Sequence, residues 1–184
     1  MLMDKILRRR RDLLTSGETN VILFYISDQQ IYRQWEADGV IAYKHQGIPS
    51  IKEFEELVKI YGSNSGTVVI FDDVQGEIKS NIGFFNRLFL VLTHHMQLAT
   101  FLILHNIFAN GLRDLSINSH KIIITYNPRD SLGISILGRQ SFPGSRGYIP
   151  AVYKYIGSKP YGYLVLNFHP ECNKLIQGTH LKSY

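Results

Sequence analysis

The 184-residue chain has a single cysteine, Cys172. No disulfide can close within one chain, and no cysteine-rich metal site can form. This suits a reducing compartment and leaves a disulfide-free secreted protein open. Long apolar runs are also missing. Leu88–Leu92 and Leu98–Leu104 are separated by Thr93-His94-His95-Met96-Gln97, and neither reaches the roughly 18 residues of a membrane span, so no membrane association is expected. The amphipathic N-terminus places Arg8-Arg9-Arg10-Arg11 after its apolar residues, the reverse of a secretory signal. That arginine run reads as a solvated helix end, a nuclear-import patch or a phosphate contact. Internal repeats, low-complexity tracts and an evident linker are lacking, which gives one domain over residues 1–184.

Charge of one sign is not dominant. Twenty Lys and Arg against fifteen Asp and Glu give a net charge of +5. This permits an acidic partner such as nucleic acid without requiring one. Apolar residues make up 45% and aromatic residues 12%, a globular composition with enough bulk for a packed core.

The continuous apolar run Val21–Ile26 reads as a strand buried on both faces, Thr67–Phe71 as a second buried strand, and Ala99–Leu104 and Lys121–Tyr126 as a third and a fourth strand. Helical patterns fall between them, over residues 2–14, from Ser27 or Asp28 to Trp35, from Ser50 onward, and over Asn81–His95. Ser50 and Glu53 have capping-box spacing. Residues 129–140 and Tyr148–Ile156 read as further helices. Gly162–Asn167 and Lys174–Gly178 read as a closing β-hairpin. The alternation predicts an α/β fold with a largely parallel central sheet, and ligands of such sheets bind beyond the carboxyl ends of the strands.

At one such end stands Asp72-Asp73, directly after Val68-Val69-Ile70-Phe71. A buried strand that ends in two acids can hold Mg²⁺ through the first and polarise water with the second. Asp at a strand end also initiates turns, so the pair alone leaves both readings open. The partner motif Gly-x-x-x-x-Gly-Lys-Ser/Thr, whose amides cradle phosphates, does not occur in the sequence. Gly62 and Gly66 are four apart, but no Lys follows them. His105-Asn106 ends the next strand, as a phosphate sensor or a turn. Arg113 and Arg129 occupy polar segments where an arginine can reach a neighbouring subunit's phosphates, and an ion pair with Asp130 is the competing reading of Arg129. His94-His95, Arg139 and Arg146 read as packing or surface residues, with metal, nucleic-acid or phosphate contacts as the alternative. Cys172 is given no role.

Several landmarks occur in a fixed order: Tyr25 to Gln29, Gly47-Ile48-Pro49, Ile70-Phe71-Asp72-Asp73, Thr93-His94-His95, Leu104-His105-Asn106-Ile107-Phe108, Asn118, Asn127-Pro128-Arg129-Asp130, Gln140 to Gly144, and Tyr161-Gly162-Tyr163-Leu164. Together they resemble the packaging ATPases of the FtsK–HerA division of P-loop proteins, in the form found in double-stranded DNA viruses and virus-like transposons of animals. The resemblance runs from Arg9 to about Gly178. It departs from the family pattern in the missing phosphate loop and in His105, where the family has Gln.

The resemblance implies a three-layer P-loop-NTPase-like fold, incomplete at its N-terminus. It also implies Mg²⁺ and ATP as cofactors, with Asp72 on the metal and Asp73, His105, Asn106, Arg113 and Arg129 in the catalytic set. The implied partners are double-stranded DNA and further copies of the chain or an intact ATPase subunit. The implied setting is intracellular, in a host nucleus or at a site of virion assembly. The implied activity is ATP-driven DNA translocation by this chain as a subunit or as the carboxyl-terminal part of one, with nucleotide binding impaired for want of the loop. A non-catalytic module binding nucleic acid or a partner ATPase is the second reading. A nuclease or other Mg²⁺ enzyme is the third, and it needs a further carboxylate or Lys that the spacing does not supply.

Overall fold

The computed structural model describes residues 2–10, 19–106, 112–170 and 180–182. The chain divides into two compact units, residues 1–115 and 116–184. Each is described separately.

The first unit is α/β. Helix α1 (Leu2–Arg8) precedes strand β1 (Asn20–Tyr25), helix α2 (Gln30–Ala37), strand β2 (Tyr43–Gln46), helix α3 (Ile51–Tyr61) and strand β3 (Thr67–Asp72). Helix α4 (Ile82–Arg87) then runs through a π-helical turn at Leu88–Leu92 and closes as α-helix at Thr93–His95, before strand β4 (Leu98–Leu102). The four strands form one parallel sheet in the order β2-β1-β3-β4. Its register places Leu23 opposite Ile70 and Ile70 opposite Phe101.

Every residue of β3 is buried, because its side chains alternate between two apolar layers. Val69 and Phe71 join Phe54 and Val58 of α3 and Phe84, Phe85 and Leu88 of the long helix. Val68 and Ile70 join Met3 and Leu7 of α1 and Tyr32 and Trp35 of α2. Helices thus cover both faces, as continuous apolar strands require.

Local signals explain most boundaries. Ser50 caps α3: its hydroxyl accepts from the Glu53 N–H at 3.2 Å, and the Glu53 carboxylate accepts from the Ser50 N–H at 3.3 Å, a reciprocal capping box. Gly62 ends that helix, where a Cβ would collide with the Val58 carbonyl. The expected cap of α2 at Ser27 or Asp28 is not formed. Gln29 holds the cap position without a side-chain bond, and Asp28 pairs with Arg33 instead, at 2.5 Å. In the π-turn, the Thr93 hydroxyl donates to the Leu88 carbonyl five residues back, at 2.9 Å, and meets the Thr100 hydroxyl of β4 at 3.1 Å.

The second unit is built differently. Strand β5 (Lys121–Thr125), helices α6 (Ser131–Ser141) and α7 (Tyr148–Gly157), and strands β6 (Tyr163–Asn167) and β7 (His180–Lys182) follow the short helix α5 (Arg113–Ile117), which starts in the first unit. The strands form an antiparallel sheet, β5-β6-β7. The run Lys121–Tyr126, expected in the parallel sheet, therefore belongs to a separate one, since an apolar run carries no information on strand direction. The hairpin partner of β6 lies at 180–182. Lys174–Gly178, Cys172, Arg11, the helix stop at Thr15–Gly17 and the segment 107–111 lie outside the described residues. Among the described residues no helix is long and apolar enough to cross a membrane.

Candidate functional site at the carboxyl edge of the parallel sheet

Strand β3 delivers Asp72 to the carboxyl edge of the sheet, between Tyr25 at the end of β1 and the segment that follows β4. The Asp72 side chain is not free to swing. The hydroxyl of Tyr32, a fully buried residue of α2, donates to Asp72 Oδ2 at 2.7 Å. Burial, and then this bond to a carboxylate, push the Tyr32 hydroxyl well above its ordinary pKa, so it stays a proton donor. Among the described residues the other oxygen, Oδ1, accepts no hydrogen bond and is not sealed from solvent.

Asp73 turns the chain with φ +59°, a left-handed conformation that costs a non-glycine residue about 1–2 kcal/mol. The turn lifts its carboxylate toward β4, where His105 Nε2 stands 3.7 Å from Asp73 Oδ1. Two residues further on, Gln75 Oε1 accepts from the backbone N–H groups of His105 at 2.9 Å and Asn106 at 3.0 Å. Beyond the bond from the Ile103 N–H to the Phe71 carbonyl of β3, the loops after β3 and β4 are joined at two points, both through Gln75. Asp72, Asp73, His105 and Asn106 therefore share one edge.

The remaining sequence candidates fall elsewhere. His94 and His95 lie just before β4, and β4 begins opposite Thr67 at the amino end of β3, across the sheet from Asp72. Arg113 is exposed at the start of α5, and among the described residues it makes no hydrogen bond or ion pair to either acid. Arg129 belongs to the second unit. Its N–H donates to Asn127 Oδ1 at 3.1 Å, a local turn bond, and no ion pair to Asp130 forms. Arg139 and Arg146 are exposed in the same unit.

Tyr32 and Gln75 escape a reading of sequence. Tyr32 shares a helical face with Trp35, which marks it as core; nothing nearby announces a carboxylate partner forty residues away.

Among the described residues no three His, Cys, Asp or Glu side chains converge as a metal cage. Mg²⁺ does not need one. It keeps several waters and is commonly held by one or two carboxylates with substrate phosphates, and an oriented Asp72 whose Oδ1 accepts no hydrogen bond, beside Asp73, fits that mode. Comparisons of the chain with protein-family models, curated proteins and solved structures return no match.

Proposed function

We propose that the first unit is a nucleotide-binding unit of P-loop-NTPase type, and that the chain serves as a subunit, or the carboxyl-terminal part of one, of a DNA-packaging ATPase. The observation that carries this reading is the gathering of Asp72, Asp73, His105 and Asn106 at the carboxyl edge of two adjacent parallel strands. Asp72, fixed by Tyr32, would hold Mg²⁺ through Oδ1. The cation, when bound with ATP, supplies charge neutralisation at the transferring phosphate. Asp73 orients and polarises the attacking water, and His105 with Asn106 lines the phosphate side of the site. Without a Gly-x-x-x-x-Gly-Lys-Ser/Thr loop among its 184 residues, the chain grips nucleotide weakly by itself. Arg113 or Arg129 would act on the nucleotide of a neighbouring copy or of an intact ATPase subunit.

Calorimetric titration of MgATP into the wild type and Asp72→Ala tests the reading. The expected result is weak binding that requires Mg²⁺ and disappears in the variant. Wild type that binds no nucleotide, or binds it equally after Asp72→Ala, rules the reading out. The second reading, a non-catalytic nucleic-acid-binding or partner-binding module, is favoured by the missing loop.

A further inference from the structure

The chain's positive charge is concentrated in one of its two units. Residues 1–115 hold twelve Lys and Arg against thirteen Asp and Glu; residues 116–184 hold eight against two. The whole excess of +5 is thus carried by the smaller unit, and the acidic edge described above belongs to the other.

One end of the basic unit also presents aromatic rings to solvent. Antiparallel pairing sets Thr125, the last residue of β5, opposite Tyr163, the first of β6, so Tyr126 and Tyr161 flank the same end of the sheet. Helix α7 is held there because the Tyr153 hydroxyl accepts from the Asn127 N–H at 2.6 Å. The Tyr126 ring lies over Gly157, where a Cβ would overlap it. Lys159 Nζ stands 5.4 Å from the centre of the Tyr155 ring. Tyr126 is 42% exposed, Tyr155 53% and Tyr161 93%, and Lys154, Lys159 and Arg129 are exposed beside them in sequence.

Tyr161 is the most telling of these. The Gly162 N–H donates to the Lys159 carbonyl at 3.1 Å, closing a tight turn whose third residue, Tyr161, has φ +56°. Gly or Asn ordinarily occupies such a position, and a bulky ring there is a backbone outlier. Tyr161 gains no packing in return, since its side chain is in water.

We infer that this end of residues 116–184 is a binding surface for single-stranded nucleic acid, with Tyr161, Tyr155 and Tyr126 stacking on bases and Lys154, Lys159 and Arg129 meeting phosphates. Cations alone would suit any polyanion. Unpacked aromatic rings among them suit unpaired bases, whose faces a duplex hides. The inference goes beyond the proposed function, whose partner is double-stranded DNA, and it does not use the Asp72 site.

The test is fluorescence anisotropy of a labelled oligothymidine and a labelled duplex, with the whole chain, in EDTA and without nucleotide, so that a failed metal site and a failed nucleic-acid surface are read separately. The key variant is Tyr161→Asn, which suits the turn and removes only the ring. It should melt no lower than wild type, yet bind the single strand roughly tenfold more weakly and the duplex unchanged. Lys154→Glu with Lys159→Glu should weaken both and flatten the salt dependence by about one to two. The inference is overturned if wild type fails to bind oligothymidine at low salt. It is equally overturned if Tyr161→Asn binds as wild type, or if the duplex is preferred.

Discussion

The hydroxyl of Tyr32 and the carboxylate of Asp72 meet at 2.7 Å inside the first unit, forty residues apart in sequence and joined across the helix–sheet boundary. Tyr32→Phe keeps the ring in the core and deletes only the donor. An Asp72 oxygen then loses its partner in a buried place, which costs about 1–3 kcal/mol. Orienting partners of metal-binding groups commonly affect affinity 10- to 100-fold. Denaturant unfolding should show the stability loss, and Mn²⁺ titration a roughly tenfold weaker site. Unchanged Mn²⁺ affinity would remove Tyr32 from the site and leave it a core residue.

The same bond sets a pH dependence at the alkaline end. Tyr32 has its folded pKa raised above the ordinary 10.0, chiefly by burial, so as pH climbs past 10 the unfolded chain releases a proton that the folded chain retains. Stability is therefore fully present below about pH 10 and falls above it. Burial raises Tyr153 as well. Tyr32→Phe should flatten the decline in part, and addition of Tyr153→Phe should flatten it further. Unfolding free energies measured between pH 8 and 11, on the order of one point per half unit, check this; a slope indifferent to both changes contradicts it.

At Asp73 the backbone and the chemistry pull in opposite directions. Asp73→Gly removes the left-handed strain at φ +59° and should stabilise the first unit by about 1 kcal/mol, while leaving MgATP binding at Asp72 in place and removing the carboxylate that polarises the attacking water. Asp73→Ala keeps the strain and loses the carboxylate, so it should be the less stable of the two. Paired thermal melts and MgATP titrations separate these effects, and a Gly variant that melts below the Ala variant refutes the strain argument.

Gln75 is a clip more than a pillar. Gln75→Ala leaves the N–H groups of His105 and Asn106 without their side-chain acceptor, but both residues are exposed and water replaces it. Hydrogen exchange at these two amides should quicken several-fold while global stability moves by less than about 1 kcal/mol. Gln75→Glu retains the acceptor and should restore slow exchange. Fast exchange in wild type would show that the clip is not closed in solution.

The parts legible in sequence were those encoded locally. Val21–Ile26 and Thr67–Phe71 announce buried parallel strands because no polar residue interrupts them, and Ser50 with Glu53 announces a helix start through its own hydrogen bonds. The acid pair at the end of β3 was visible for the same reason. Features that depend on which partner a residue takes were not. Asp28 has the right chemistry for a cap, but Arg33 claims it. Lys121–Thr125 reads like any other apolar strand, and only its pairing with β6 makes it antiparallel. The apolar pattern of Ile82–His95 does not mark the π-turn, where the Thr93 hydroxyl reaches the Leu88 carbonyl and Thr100 of the next strand. The uneven division of charge was readable from composition alone once the boundary near residue 115 was known.

That π-turn has a consequence for how the long helix tolerates change in length. A π-helical turn spends one residue more than an α-helical turn over the same rise, so Leu88–Leu92 behaves as a single-residue insertion already absorbed by the helix. Deleting one residue there returns the segment to α-helix and leaves Phe84 and Phe85 before it, and Thr93 after it, on the faces they now occupy. The same deletion in α3 would turn every later side chain by about 100° and move Val58 off the sheet. The long helix thus carries a spare residue at a defined place, and loss of one codon there should be survivable where its loss elsewhere in the unit is not.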